Sequence, residues 1–329
     1  MKMQNSNIMN RITKVMAVVM LLTTYHLLLT TSGLYAAFKD PGFGARPLGL
    51  GGAFCAVADD VNAALYNPAG IYITNQYKIG MMYAKLYSGL EDVNLGLQDV
   101  AFIIPTENSG NFGFTWTQFT DASDYREDAM IITYANKCEI RNIPEFYAGL
   151  SLKYLGHAYT LDDRTRNDPV FAGGNSKGGM AADLGAWMAL ESSEESETSV
   201  GFNLKNLAEP DLGLKTEDKV PSELRIGVKY SLAQLGAMEK FLLAADLSYR
   251  NQANEKLQNK VNLHAGSEAW FFDDLLGVRL GGNAHEFGGG FSIKKVVSSF
   301  ELQLDYSLLI PVTIQGSSGS HRMSISCGF

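Results

Sequence analysis

From about residue 77 to its end the chain alternates apolar and polar positions in repeated short segments. This period-two pattern belongs to strands whose two faces meet different surroundings. Phe300, Leu302, Leu304, Tyr306 and Leu308 interleave with Ser299, Glu301, Gln303, Asp305 and Ser307. Leu224, Ile226, Val228, Tyr230 and Leu232 interleave with Arg225, Gly227, Lys229 and Ser231. Phe241, Leu243, Ala245, Leu247 and Tyr249 form a third such face. The alternation predicts strands at 77–86, 98–105, 111–119, 127–136, 146–157, 179–190, 198–207, 223–232, 239–249, 261–270, 276–284, 287–295, 299–308 and 321–329. That even number of strands, each about 8 to 12 residues long, suits tilted strands crossing a hydrocarbon layer. The gaps alternate between about 11 and about 6 residues, as long outer loops and short inner turns would. The two-residue gap at His285 and Glu286 breaks that alternation and questions the strand count there. The expected fold is all-β, a 14-stranded antiparallel transmembrane β-barrel over 77–329 with an N-terminal plug over 37–76.

The N-terminus reads differently. Lys2, Arg11 and Lys14 precede an apolar run from Val15 to Leu29, followed by small residues up to Ala36 and Ala37. That is the order of a secretory signal peptide, with cleavage expected after Ala36. Residues 1–36 hold no acidic side chain, so their removal leaves 24 basic against 35 acidic residues, a net charge of -11 against -8 for the whole chain. So acidic a chain lacks the electrostatic footprint of a nucleic-acid binder. A composition of 46% hydrophobic residues with 11% aromatic excludes a disordered polymer. Cys55, Cys138 and Cys327 show neither a disulfide framework nor zinc spacing, although a Cys55–Cys138 pair stays open. No metal site and no cofactor are indicated.

Residues 37–76 do not alternate and carry the most distinctive stretch of the chain, Gly44 to Gly70. Gly49, Gly51 and Gly52 fall short of a dinucleotide loop, because its third glycine would stand at Phe54, and no Walker lysine follows. Close backbone packing is the better reading of these glycines. Asp60 is placed to cap a short helical turn through Val61, Ala64 and Leu65. Asn67, preceding Pro68, is pushed out of the α region, and Asn67, Pro68, Ala69 and Gly70 form a turn.

This stretch resembles the N-terminal region of the long-chain fatty acid transporter (FadL-type) superfamily of outer-membrane proteins, including its PorV/PorQ-like and UPF0164-like relatives. The residues that carry the resemblance are Gly44, Ala45, Arg46, Leu48, Gly49, Gly51, Gly52, Ala53, Ala58, Asp59, Asp60 and Asn67 to Gly70. It implies a plug inside a 14-stranded barrel of the bacterial outer membrane, with Asn67, Pro68 and Ala69 at a gating turn. The terminal strand, on which Met323, Ile325, Cys327 and Phe329 alternate with polar residues, resembles the aromatic insertion signal of such barrels. It implies the barrel assembly machinery and outer-membrane lipid as partners.

The register points Lys153, Asp183, Asn203, Lys205, Arg225, Lys229, Asp246, Asn262, His264, Arg279, Glu301, Asp305 and Arg322 into the lumen. Charges of both signs there predict a mutually neutralising network that holds the plug. Arg225, Lys229 and Arg279 are also candidates to receive an anionic ligand head. His264 has no nucleophile elbow and no second histidine at ligand spacing, so no hydrolytic triad can be assembled and no enzyme is expected. Two functions follow from the resemblance. The first is an outer-membrane channel for small hydrophobic compounds such as long-chain fatty acids. The alternative is a PorV-like interaction protein of a secretion system, with loops 158–178 and 208–222 receiving protein partners.

Overall fold

The computed structural model describes residues 38, 41–74, 76–107, 109–122, 124–141, 145–251 and 260–329. The expected signal peptide and its cleavage point lie outside these residues. Fourteen strands form a closed antiparallel barrel in which each strand pairs with its sequence neighbours and β1 pairs with β14. They are β1 Lys78–Ser88, β2 Leu95–Pro105, β3 Asn111–Asp121, β4 Tyr125–Lys137, β5 Phe146–Tyr159, β6 Ser176–Ser192 and β7 Ser196–Lys205. The second half comprises β8 Glu223–Leu232, β9 Lys240–Arg250, β10 Val261–Phe271, β11 Leu276–Asn283, β12 Glu286–Val297, β13 Phe300–Pro311 and β14 Gly319–Gly328. Every predicted strand is present. Closure leaves no unpaired edge, which is what allows strands to cross a bilayer at all.

The doubtful gap is a true tight hairpin. β11 and β12 are joined by Ala284 and His285, and the Asn283 side chain accepts hydrogen bonds from the N–H groups of His285 (2.8 Å) and Glu286 (3.2 Å). At the other end of the barrel the last residue seals the β1–β14 seam. Phe329 stacks on Tyr77 at 5.6 Å, packs on Phe300 at 6.1 Å and donates its N–H to the Tyr77 carbonyl.

Alternation holds in burial as well. Apolar side chains on one face of each strand stay exposed, among them Leu280 at 71% and Ile132 at 63%, as a lipid-facing belt requires. The other face is buried against residues 41–74, which run through the lumen with little regular structure. That segment holds α1 (Ala45–Gly49), α2 (Ala63–Tyr66) and a 3-10 turn over Pro68–Tyr72. Asn62 stands at the N-cap of α2, two residues beyond the expected Asp60. Asp60 still serves that turn, since its carboxylate accepts from the Asn62 N–H at 2.8 Å. Asn67 is extended, with φ -159° and ψ 109°, as its position before Pro68 requires, and ends the helix.

The plug touches the wall where the wall has no side chains. Three cross-strand glycine pairs face it: Gly149 with Gly185, Gly201 with Gly227, and Gly266 with Gly281. A Cβ at Gly201 would lie 2.1 Å from the Cys55 carbonyl oxygen, one at Gly149 2.4 Å from the Ala69 nitrogen, and one at Gly281 2.2 Å from the Leu50 carbonyl carbon. The plug's own Gly51, at φ +68°, lies as close to the backbone of Gly282. The plug backbone is thus inlaid in the wall. Gly201→Leu should lower stability by about 1–3 kcal/mol through overpacking against Cys55, read as a lower urea midpoint in detergent. Gly289→Ala, on the lipid face, should leave that midpoint unchanged.

Candidate functional site

An irregular segment buried inside a barrel cannot satisfy its own peptide groups, so the wall must supply partners. It does so strand by strand. Asp246 on β9 accepts from the N–H groups of Phe54 and Cys55, both at 2.9 Å. Trp187 on β6 donates its indole N–H to the Ala56 carbonyl at 2.8 Å, and Ser199 on β7 reaches the same oxygen at 3.3 Å. His264 on β10 bonds the Gly51 carbonyl at 2.9 Å through Nδ1, a structural contact to the plug. Asn203 donates to the Tyr66 carbonyl at 2.7 Å, Asn111 to the Ile71 carbonyl at 2.9 Å, and Arg322 to the Pro41 carbonyl at 2.8 Å.

Asn67 sits at the heart of this arrangement and is fully buried. Its amide nitrogen donates to the Cys55 carbonyl and to the Ala186 carbonyl of β6, both at 2.9 Å. Its side-chain oxygen accepts from the Ala69 N–H at 3.1 Å, starting the 3-10 turn. Pro68, Ala69 and Gly70 follow pressed against the wall, and Gly70 lies so close to Ala58 that a Cβ would meet its carbonyl at 2.3 Å. One amide side chain therefore joins two distant parts of the plug to the barrel.

The charged network has its centre on Arg46 of α1. Its guanidinium binds Glu268 of β10 through two hydrogen bonds at 2.9 and 2.8 Å, Asp59 at 2.5 Å and Asp60 at 3.2 Å. Burial works against ionisation of both plug carboxylates. The adjacent guanidinium nevertheless holds Asp59 below the usual range, while burial pushes Asp60 up. Glu268 also meets Arg279 of β11 at 3.1 Å, and Arg279 reaches Asp305 of β13 at 3.2 Å. Glu268 escaped the lumen-facing set read from the sequence, although it shares the even register of Asn262 and His264 on β10. Alternation was the signal that could have found it.

The three cationic candidates do not converge on one cavity. Arg225 donates to the Gly52 carbonyl at 3.1 Å, pairs with Glu223 at 3.0 Å and lies 3.8 Å from Asp246. Arg279 packs its methylenes against Gly49 and is 3% exposed. Lys229 pairs with Glu197 at 2.6 Å at the short-turn end of the barrel. All three are bound to carboxylates, the neutralising network expected of the lumen. Glu197 is the β7 partner of Lys229. Cys55 is buried in the plug and is a free thiol, as are Cys138 and Cys327.

Two cavities flank the plug. The outer one, about 100 Å³, is lined by Phe38, Phe43, Phe119, Leu155 and Val220 with the paired charges Lys153–Asp183 and Arg250–Glu223 at its side. Its roof is the loop 206–222, which contains the segment 208–222 expected to receive protein partners and which folds into the mouth. Leu212 and Val220 are buried beside Ala129, Leu155 and Ala181, and His157 bonds the Leu212 carbonyl at 2.7 Å. Asp211 braces the loop by accepting from the N–H groups of Asp218 and Gly213, which hold its carboxyl down at about 2. The inner cavity, about 410 Å³, lies at the short-turn end among Arg46, Asp59, Lys78, Lys229, Lys294 and Glu301. It is polar where the outer one is apolar.

A closed 14-stranded barrel with a lumenal N-terminal plug defines a membrane β-barrel with the fold of the FadL-type channels. The chain resembles the Ralstonia pickettii toluene transporter TbuX (12% identity, 89% of this chain and 99% of that one, TM-score 0.54). It also resembles a Pseudomonas aeruginosa FadL homologue (12%, 90% and 99%, TM-score 0.52) and the CymD monoaromatic hydrocarbon channel (13%, 89% and 98%, TM-score 0.54). No curated protein matches it in sequence. Residues 60–327 match the model of the type IX secretion system membrane protein PorP/SprF family, and the chain belongs to that family.

Arg46→Met should be costly, because it takes the cation from Asp59 and Asp60 and leaves the buried Glu268 with Arg279 alone. We expect a loss of about 3–5 kcal/mol. Faster proteolysis within residues 41–74 of the folded barrel would be the readout.

Proposed function

We propose that this protein is an outer-membrane component of a bacterial type IX secretion system, a plugged barrel that anchors a docking surface for protein partners. The observation that carries this reading is the attachment of the plug. Its backbone is inlaid on paired wall glycines and its polar groups are met from at least seven strands, so the lumen serves as a scaffold core and offers no aqueous path for a protein. Family membership supports the same reading. The docking element is the β5–β6 hairpin. These are the two longest strands of the barrel, 14 and 17 residues, and the connection 160–175 stands exposed beyond the mouth. The loop 206–222 roofs the barrel and is the less available of the two. Replacing residues 161–174 with a short Gly-Ser linker should abolish co-purification of secretion-system or secreted proteins while leaving the barrel folded. Unchanged co-purification would refute the assignment.

A second reading, passage of small hydrophobic compounds, is favoured by the apolar outer cavity and by likeness in fold to hydrocarbon transporters. In it, displacement of Asn67, Pro68 and Ala69 opens the route. Asn67→Ala removes both amide donors to Cys55 and Ala186, so uptake of a radiolabelled fatty acid or monoaromatic compound into cells should change at least several-fold. Equal uptake by variant and parent would count against passage through the plug.

A further inference from the structure

The lipid-facing wall is not uniformly convex. Over β9 to β13 it carries a groove of about 550 Å³, whose floor is made of the small residues Ser267, Ala269 and Gly289. Phe241, Leu280 and Phe291 stand along its sides, with Leu280 and Phe291 exposed at 71% and 44%. Cross-strand register places these residues at two adjacent levels: Ser267 beside Leu280 and Gly289, and Ala269 beside Val278 and Phe291. Gly289 is not there to admit the plug, because it points outward. A Cβ on it would meet Leu280 Cδ2 at an accommodating 3.3 Å.

Below the groove, on the same face of β12, lies Lys295, exposed and without an ion pair among the described residues. From Gly289 to Lys295 is six residues, about 20 Å along the strand. At a strand tilt of about 40° this is about 15 Å of depth, half of a hydrocarbon core about 30 Å thick. Lys295 stands two residues before the short-turn end of β12, and Gly289 lies about half a hydrocarbon core further in. The neighbouring lysine, Lys294, points inward over the Trp270 ring at 4.6 Å and is engaged there.

We propose that this groove holds one acyl chain of a glycerophospholipid of the inner leaflet, whose phosphate is bound by Lys295. An apolar groove on the lipid face, with one unpaired cation about 13 Å further along the same face of β12 toward the short-turn side, matches that molecule in polarity and charge. A protein segment packed in the same groove would leave Lys295 facing a phosphate-rich plane without a partner of its own. The site is independent of what the loops or plug do, since it lies on the opposite side of the wall from both.

The test is native mass spectrometry of the full-length protein extracted from outer membranes in mild detergent. The parent should retain one phospholipid per barrel. Gly289→Leu, which fills the groove, and Lys295→Glu, which repels phosphate, should each lower that occupancy at least five-fold, whereas Lys295→Arg should keep it. Heat-modifiable gel migration of each variant reports that the barrel has folded, and the two disruptive variants fail independently if either does not. Equal phospholipid retention in all the folded variants would overturn the proposal. So would finding a glycolipid of the outer leaflet, a second copy of the chain or another protein on the parent barrel in place of the phospholipid and lost from Gly289→Leu.

Discussion

The structure depends on one constraint, that an irregular chain may lie at membrane depth only if every peptide group it brings finds a partner there. Residues 41–74 satisfy part of their own groups through turns, two helices of five and four residues and one 3-10 turn. The remaining groups are answered by wall side chains that would otherwise be inexplicable in a membrane protein: a carboxylate, an indole, an imidazole, two carboxamides and a guanidinium. Each is expensive to bury alone and inexpensive once bonded. The polar lumen is thus the negative imprint of the plug's backbone, and the two must have the same register to fold at all.

The glycine pairs express the same constraint sterically. At these pairs the plug backbone lies almost in contact with the wall backbone, and any Cβ between them would hold them apart. Because the pairs are directly opposite across strands, each one opens a flat patch two strands wide. Gly51, Cys55 and Ala69 rest on three such patches around the barrel. The Arg46 cluster then fixes α1 between them by charge, joining plug residues 46, 59 and 60 to β10 and, through Glu268 and Arg279, to β11 and β13.

Much of this was legible in the sequence, for a physical reason. A strand between lipid and a polar lumen must alternate, so strand count, order and the inward set, Arg225, Asp246 and Arg279 among them, could be read from period two alone. Strand ends could not: β6 begins at Ser176, three residues before its predicted start, because pairing with β5 continues past the point where alternation with lipid stops mattering. Partners inside the lumen were illegible for a different reason. Alternation says that Arg279 points inward but is silent on whether a ligand or Glu268 awaits it. The role of Gly49, Gly51 and Gly52 in close packing was foreseeable, whereas their counterparts in the wall, spread over residues 149 to 288, form a pattern only once strands are laid side by side. The fold of loop 206–222 turned on two apolar residues, Leu212 and Val220, in a segment whose composition otherwise reads as solvated.

The locked plug bears on the choice between transport and scaffolding. In a channel whose plug moves, the contacts broken on opening must be few or be replaced in the open state, since an unmet buried peptide group or charge is costly. Here displacing the Asn67–Ala69 turn alone breaks the two hydrogen bonds that the Asn67 amide donates to the Cys55 and Ala186 carbonyls and uncovers the Gly149–Gly185 patch. Displacing the whole plug would also take Arg46 from Glu268 and the Phe54 and Cys55 N–H donors from Asp246. A small hydrophobic molecule in the outer cavity could repay the first of these but has no polar group to offer the second. The energetics therefore allow at most a local motion of the turn. They favour a barrel whose rigidity is used at its rim, where a projecting hairpin can hold a partner against a fixed base.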